Sequence, residues 1–208
     1  IFVCLLLICS LHTNAQNINY EWTIAGGSVG IDEGKGVTTD DAKNVYAVGL
    51  FTGSVDFDPG VGDSTLTATG TGSGYIAKYD ANGNFLWVIQ ISGSVIATCN
   101  SICSDLYNNI YVIGEINGTS DDFDPDTGVV TITSVGQRDV YVAKYTSSGQ
   151  FVWLQQFGGT LNEYARKIKA GKNDELVITC NFEGTVDFDP GAGVNNVTSA
   201  GSSDVFIA

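Results

Sequence analysis

The chain has 208 residues, 23 of them acidic and 9 basic, giving a formal net charge of −14, with 26 glycines, 3 prolines, 1 histidine and no methionine. Such a surface is a poor match for nucleic acid or an anionic bilayer, and it suits solvation outside a cell or the binding of cations. The one histidine, His12, lies in the opening apolar run. Ser-His-Asp and Cys-His catalysis and His-ligated zinc are therefore excluded from everything after it.

The first 16 residues read "IFVCLLLICSLHTNAQ". A short apolar run closing on small and polar residues has the form of a secretory signal peptide over 1–15, with Thr13 and Ala15 at the −3 and −1 positions and Gln16 opening the mature chain. It is too short to span a bilayer. With no Met and no basic segment before it, the run is expected to be truncated at its start. The competing reading, a lipidated Cys9, lacks the small residue expected before it, because Ile8 stands there. Beyond the leader remain Cys99, Cys103 and Cys180, enough for one internal bridge. Cys99 and Cys103 are near enough in sequence to join, or all three are small packing residues.

Residues 16–208 are organised by a repeat. Trp22, Trp87 and Trp153 are the only tryptophans, 65 and 66 residues apart. "NVYAVGLFTGSVDFDPG" at 44–60 returns as "NIYVIGEINGTSDDFDPD" at 109–126 and as "ELVITCNFEGTVDFDPG" at 175–191. The 3 prolines, Pro59, Pro125 and Pro190, are spent on that phrase. In chain order the reading predicts a lone fourth strand at 20–27, a first blade at 35–91, a second at 100–157 and a partial third at 165–208. The last one, "DVFIA", stops inside an element.

Each copy carries four apolar runs of strand length. In the first copy they are "GKGVTTD", "NVYAVGLFTGSVDF", "GYIAKYD" and "NFLWVIQI", separated by the turn formers "DAKN" and "ANG". The runs are apolar on both alternating faces, so each sheet must be covered on both. Stacked four-stranded units do this, and the expected fold is all-β: a β-propeller fragment of four-stranded antiparallel blades forming an open arc. Asp-Pro-Gly is expected to close the long second strand as a β-turn, with Pro at the second position and a left-handed Gly at the third. Asp126 replaces that Gly in the middle copy, which predicts a different turn there.

The same phrase supplies the candidate metal ligands. Alternation puts Asp56 and Asp58 on one face, and Asp122 with Asp124 and Asp187 with Asp189 repeat the relation. Paired carboxylates near a turn could hold Ca²⁺ with further oxygens, although two carboxylates make a weak site and no complete EF-hand loop is present. The alternative is a structural turn. No catalytic residue is singled out. "RKIK" at 166–169 reads as a solvated face of an edge strand, the repeated Tyr and Trp as core between blades, and Cys180, standing where Gly49 and Gly114 stand, as packing.

Taken together, "NVYAVG", "NIYVIG", "YIAKYD", "VYVAKY" and "DVFIA", followed by Trp87 or Trp153 and by "SG" or "FGG", resemble the SBBP-type bacterial β-propeller repeat. The departures are Thr179-Cys180 for Val-Gly, and Thr146 where Asp80 stands in the first copy. Copies with "VDFDPG" look like those of large secreted bacterial proteins that end in a type IX secretion sorting domain. The resemblance implies a secreted or cell-surface location and brings no established catalytic residues. The function expected is a non-enzymatic interaction or adhesion scaffold with an extracellular protein or glycan as partner, no nucleic acid and no membrane span. The alternative is the propeller portion of an extracellular enzyme, quinone-dependent or glycan-active, whose catalytic residues lie elsewhere.

Overall fold

The computed structural model describes residues 20–120, 122–126, 128–172, 175–189 and 191–208. The expected signal peptide and Pro190 lie outside the described residues. The first copy folds as β1 (Glu33–Thr39), β2 (Val45–Phe51), β3 (Ser54–Asp56), β4 (Thr65–Thr67), β5 (Ser73–Tyr79) and β6 (Phe85–Ile91). Of these, β1-β2-β5-β6 make a four-stranded antiparallel sheet. The second copy repeats it with β7 (Ile96–Ser104), β8 (Ile110–Asn117), β9 (Asp139–Tyr145) and β10 (Phe151–Phe157). The third has β11 (Glu163–Ala170), β12 (Leu176–Phe182), β13 (Thr185–Asp187), β14 (Asn196–Thr198) and β15 (Asp204–Ile207), with β11-β12-β15 as its sheet. No helix among the described residues is long and apolar enough to cross a membrane.

One expectation needs correction. The long second run is not one strand: β2 stops at Phe51, Gly53 turns left-handed at φ 63°, and β3 pairs only with β4 in a separate two-stranded ribbon. Gly118 and Gly184 repeat the break at φ 87° and 70°. A residue with a Cβ is disfavoured in that conformation, so the break is written into each copy as a glycine. The segment 20–27, expected as a lone fourth strand, has no ladder partner among the described residues and is held by Trp22, whose Nε1 donates to Ala81 O at 3.0 Å. The indole lies against Gly83, where a Cβ would come within 2.9 Å of it.

The sheets stack through their faces into an open, propeller-like arc. β7 packs on β1 and β2, and β11 on β7 and β8, so the first strands of successive sheets are neighbours. Between the first two sheets lie Tyr46, Val48, Ile76 and Ile89 against Cys99, Val112, Phe123 and Tyr141. Between the second and third lie Ile113, Val140 and Val142 against Ala165, Ile178, Phe182 and Phe188. Burial of these side chains, about 1.5–3 kcal/mol each for the larger ones, supplies the main cohesion between sheets. Gly36 shows how close the strands come: a Cβ there would stand 3.2 Å from Ser101 Cα. At the two ends the pattern is incomplete. The outer face of the third sheet leaves Val177, Val205 and Ile207 exposed, and that of the first is roofed in part by Trp22, Ile24 and Ala25 over Phe51, Phe57 and Tyr75.

Candidate functional site

The repeated phrase is a loop that plugs its Phe into a sheet face. Phe57, Phe123 and Phe188 are all buried, at 4.9 Å between ring centres from Tyr75, 4.8 Å from Tyr141 and 3.6 Å from Phe206. Tyr79 and Tyr145 fasten the first two loops by donating their hydroxyls to the Phe57 and Phe123 carbonyls, each at 3.0 Å.

The flanking carboxylates hold the loop's shape. Asp56 Oδ1 accepts the N–H groups of Asp58 and Ser64, both at 2.9 Å, and Asp58 Oδ1 accepts that of Gly60 at 2.8 Å. Asp122 takes Asp124 and Val130, Asp124 takes Asp126, Asp187 takes Asp189 and Asn195, and Asp189 takes Gly191. The bonds from Asn195 and Asp189 hold the Asp187 carboxyl below its usual range. Gly60 is not left-handed, so the expected turn is replaced by an Asx turn, in which the Asp side chain takes the place of a backbone carbonyl. That geometry makes no demand on the Gly position, and Asp126 forms the same turn at 3.0 Å. The glycine the loop does require is two residues on. A Cβ on Gly62, Gly128 or Gly193 would overlap Oδ2 of Asp58, Asp124 or Asp189.

The structure thus brings each predicted pair of carboxylates into one loop and commits one oxygen of every Asp to backbone amides. Among the described residues no group of three or more His, Cys, Asp or Glu is placed to hold a metal ion.

A second repeated device closes the hairpins. Asp40 Oδ1 accepts Asn44 N at 2.9 Å while Oδ2 accepts Asn44 Nδ2 at 2.8 Å and Tyr46 Oη at 3.0 Å. Lys78 Nζ stands 3.5 Å from the same oxygen and over the Tyr46 ring. Asp105, Asn109, Tyr111 and Lys144 repeat all of it. Burial alone would raise both Asp carboxyls, but the Asn and Tyr donors, joined by Lys78 at Asp40, bring them below the usual range.

The three described cysteines are free thiols. Cys99 faces the first sheet and Cys103 the third, because they lie on opposite faces of β7. Burial raises them to about 12 and about 11, and Cys180 to about 12, which keeps them protonated and unreactive at neutral pH.

One cluster belongs to the junction of the second and third sheets alone, and repeat-based reading missed it. The first strand of every sheet carries a bulge, at Lys35, Asn100 and Arg166. Glu115, buried on β8, accepts Asn100 Nδ2 and the Ala165 N–H, each at 3.0 Å, and pairs with Arg138 at 2.8 Å. Arg138 and Arg166 both lie over the Tyr164 ring, at 5.4 and 5.7 Å from its centre, and they are the only arginines in the chain. Below them Glu163, 1% exposed, accepts Gly159 N at 3.0 Å through Oε2 while its Oε1 has no partner among the described residues. The legible signal was non-repetition: Glu115 and Arg138 stand where the first copy has Leu50 and Gly72.

No protein-family model matches the chain. It is 23% identical over 212 residues to an uncharacterized WD repeat-containing protein of Acanthamoeba polyphaga mimivirus, an alignment that covers 90% of this chain and 15% of that protein. The chain therefore spans a small part of the relative's length. The likeness agrees with the stacked antiparallel sheets in pointing to a propeller-like repeat fold.

Proposed function

We propose that this chain is part of a non-enzymatic, secreted or cell-surface β-propeller repeat protein that serves as an interaction or adhesion scaffold. One observation carries the reading: the groups that could do chemistry are spent on structure, copy after copy. Loop carboxylates hold Asx turns, the Asp–Tyr–Lys sets fasten the hairpins of the first two copies, and the thiols are buried or half-buried. An active site needs one asymmetric constellation open to a substrate, whereas a scaffold needs rigid, repeated sheets that present variable surface. The extracellular setting is supported by the leader-like 1–15 and by the resemblance to SBBP-type repeats exported through type IX secretion. Deleting the segment 33–207 from the full-length protein in its own host and measuring surface attachment tests this. Attachment should fall with secretion unchanged; undiminished attachment would overturn the scaffold role.

A further inference from the structure

We propose that the hairpin tip joining β7 to β8 is a docking site for a neutral glycan, whose flat pyranose face stacks on Tyr107 while Asp41, Lys43 and Asn108 meet its hydroxyls. The proposal rests on the scaffold reading and names the partner's chemistry. The tip belongs to the middle copy, which has a sheet packed on either side of its own. Its sequence departs from its counterparts: Leu106-Tyr107 stands where the first copy has Asp41-Ala42 and the third has Lys172-Asn173. Both side chains are turned to solvent, Leu106 being 75% and Tyr107 72% exposed. The backbone beneath them is fixed. Asp105 Oδ1 accepts the N–H groups of Tyr107 and Asn109, each at 2.8 Å, while the Asp105 carbonyl accepts that of Asn108 at 3.1 Å. Asn108 is left-handed at φ 63°, as Lys43 is at φ 64° in the hairpin joining β1 to β2; no other non-glycine among the described residues is. The two tips are also tied to each other, because Asn108 Oδ1 accepts the Asp41 N–H at 3.0 Å and Ser104 Oγ donates to Thr39 O at 2.9 Å. A ring carried on so braced a loop, with two side-chain torsions to order, is presented at little entropic cost.

Size and charge choose the partner. An aromatic side chain buries about 150–250 Å², so Tyr107 with Leu106 beside it falls well short of the roughly 800 Å² that each partner buries in a stable protein–protein interface. The pair matches one or two sugar rings. The groups beside it are polar: the Asp41 carboxylate is an acceptor, Asn108 Nδ2 and Lys43 Nζ are donors, and none of the three is bonded among the described residues. A hydroxyl both gives and takes a hydrogen bond, so it uses both kinds. A sugar is amphipathic in the same sense as a tyrosine, with C–H groups on the ring face and hydroxyls around the rim. The net charge of −14 disfavours uronate or sulfated chains and leaves neutral ones. Stacking further asks for equatorial substituents, as in a β-1,4-linked glucan, because axial hydroxyls would hold the sugar off the ring.

Isothermal titration of the full-length protein with cellohexaose, and with trigalacturonate as the acidic comparison, tests this. Cellohexaose should bind at least about tenfold more tightly than trigalacturonate, and Tyr107→Ala should weaken it by at least about tenfold. Tyr107→Trp should hold the affinity within about threefold, and Tyr20→Ala, at a tyrosine 79% exposed elsewhere, should leave it unchanged. No binding of cellohexaose, equal binding of trigalacturonate, or indifference to Tyr107→Ala would each overturn the site. Surface attachment lost in the Tyr107→Ala protein without cellohexaose binding would hand the tip to a protein partner and overturn the glycan. Cellohexaose binding that Tyr107→Ala removes, with attachment undiminished on deleting 33–207, would keep this site and reject the adhesion reading. Attachment lost on that deletion, with no cellohexaose binding, would reject the site and leave the scaffold standing.

Discussion

Lys78 Nζ donates to the Ser147 carbonyl across the boundary between the first two sheets, at 2.7 Å, while lying 3.5 Å from Asp40 Oδ2. Ser147 holds the place in the second copy that Ala81 holds in the first, and Ala81 O accepts the indole of Trp22. With the lysine occupying that carbonyl, Trp87 Nε1 is left buried with no partner among the described residues. Lys78 therefore acts as the staple between the two sheets.

Lys78→Met keeps the apolar stem and removes the cation, leaving Asp40 with its Asn44 and Tyr46 donors only. Breaking a buried pair from one side is costly, and the surviving donors place the loss at the lower end, about 2–3 kcal/mol in urea denaturation. A loss under about 0.5 kcal/mol would show that the staple is not a principal fastening.

Gly114 and Tyr141 are coupled in a way the third copy resolves differently. A Cβ on Gly114 would stand 2.5 Å from Tyr141 Oη and overlap Thr98 O, the carbonyl to which Tyr141 donates at 2.8 Å. The third copy has Cys180 in place of the glycine, opposite Phe206, which lacks the hydroxyl. Gly114→Cys alone should cost about 3 kcal/mol by overpacking. Adding Tyr141→Phe should recover at least about 1 kcal/mol of it, a coupling that a double-mutant cycle reads directly. Additive effects would refute the link.

How much of this was legible follows from the same residues. The 65-residue repeat and the two-faced apolar strands were readable because period-2 patterning survives in every copy, whereas the burial of Phe57, Phe123 and Phe188 came only with the fold. The break at Gly53 was not, because Val55 and Phe57 continue the alternation of β2 and hide the change of strand; the repeated glycine was the available sign. The junction of Asn100, Glu115, Arg138, Tyr164 and Arg166 could not be read from repeats at all. Its members are distant in sequence, differ from their counterparts, and meet only because a bulge re-aims one strand while the next sheet stacks on it.

The loop carboxylates distinguish a turn from a cation site. Asp58→Asn keeps an Oδ1 acceptor for the Gly60 N–H but removes the charge a cation needs. With the Asx turn as the role, the variant should lose less than about 0.5 kcal/mol, and the parent protein should melt at the same temperature in millimolar calcium and in chelator. A calcium-dependent rise in melting temperature that Asp58→Asn abolishes would instead establish ion binding at Asp56 and Asp58.

Glu163 and the hairpin aspartates should leave opposite marks on the pH profile. Burial, with Asp139 and Glu183 adding like charge against the opposing bond from Gly159, raises the Glu163 carboxyl from 4.5 to about 7. Between those values the folded chain binds more protons than the unfolded one, so the contribution of the protonated acid is complete below about pH 4.5 and is lost as pH rises to about 7. Asp40 and Asp105 are shifted down, so their contribution is present above the ordinary carboxyl value of 3.8 and is lost as pH falls further. Glu163→Gln keeps the size and an acceptor for Gly159 N while removing the charge. It should flatten the slope between pH 5 and 7, stabilise the protein at pH 8 by on the order of 2 kcal/mol, and leave the acid limb untouched. Urea midpoints across this range check it, and an unchanged slope would mean that Glu163 is already ionised and satisfied in the folded chain.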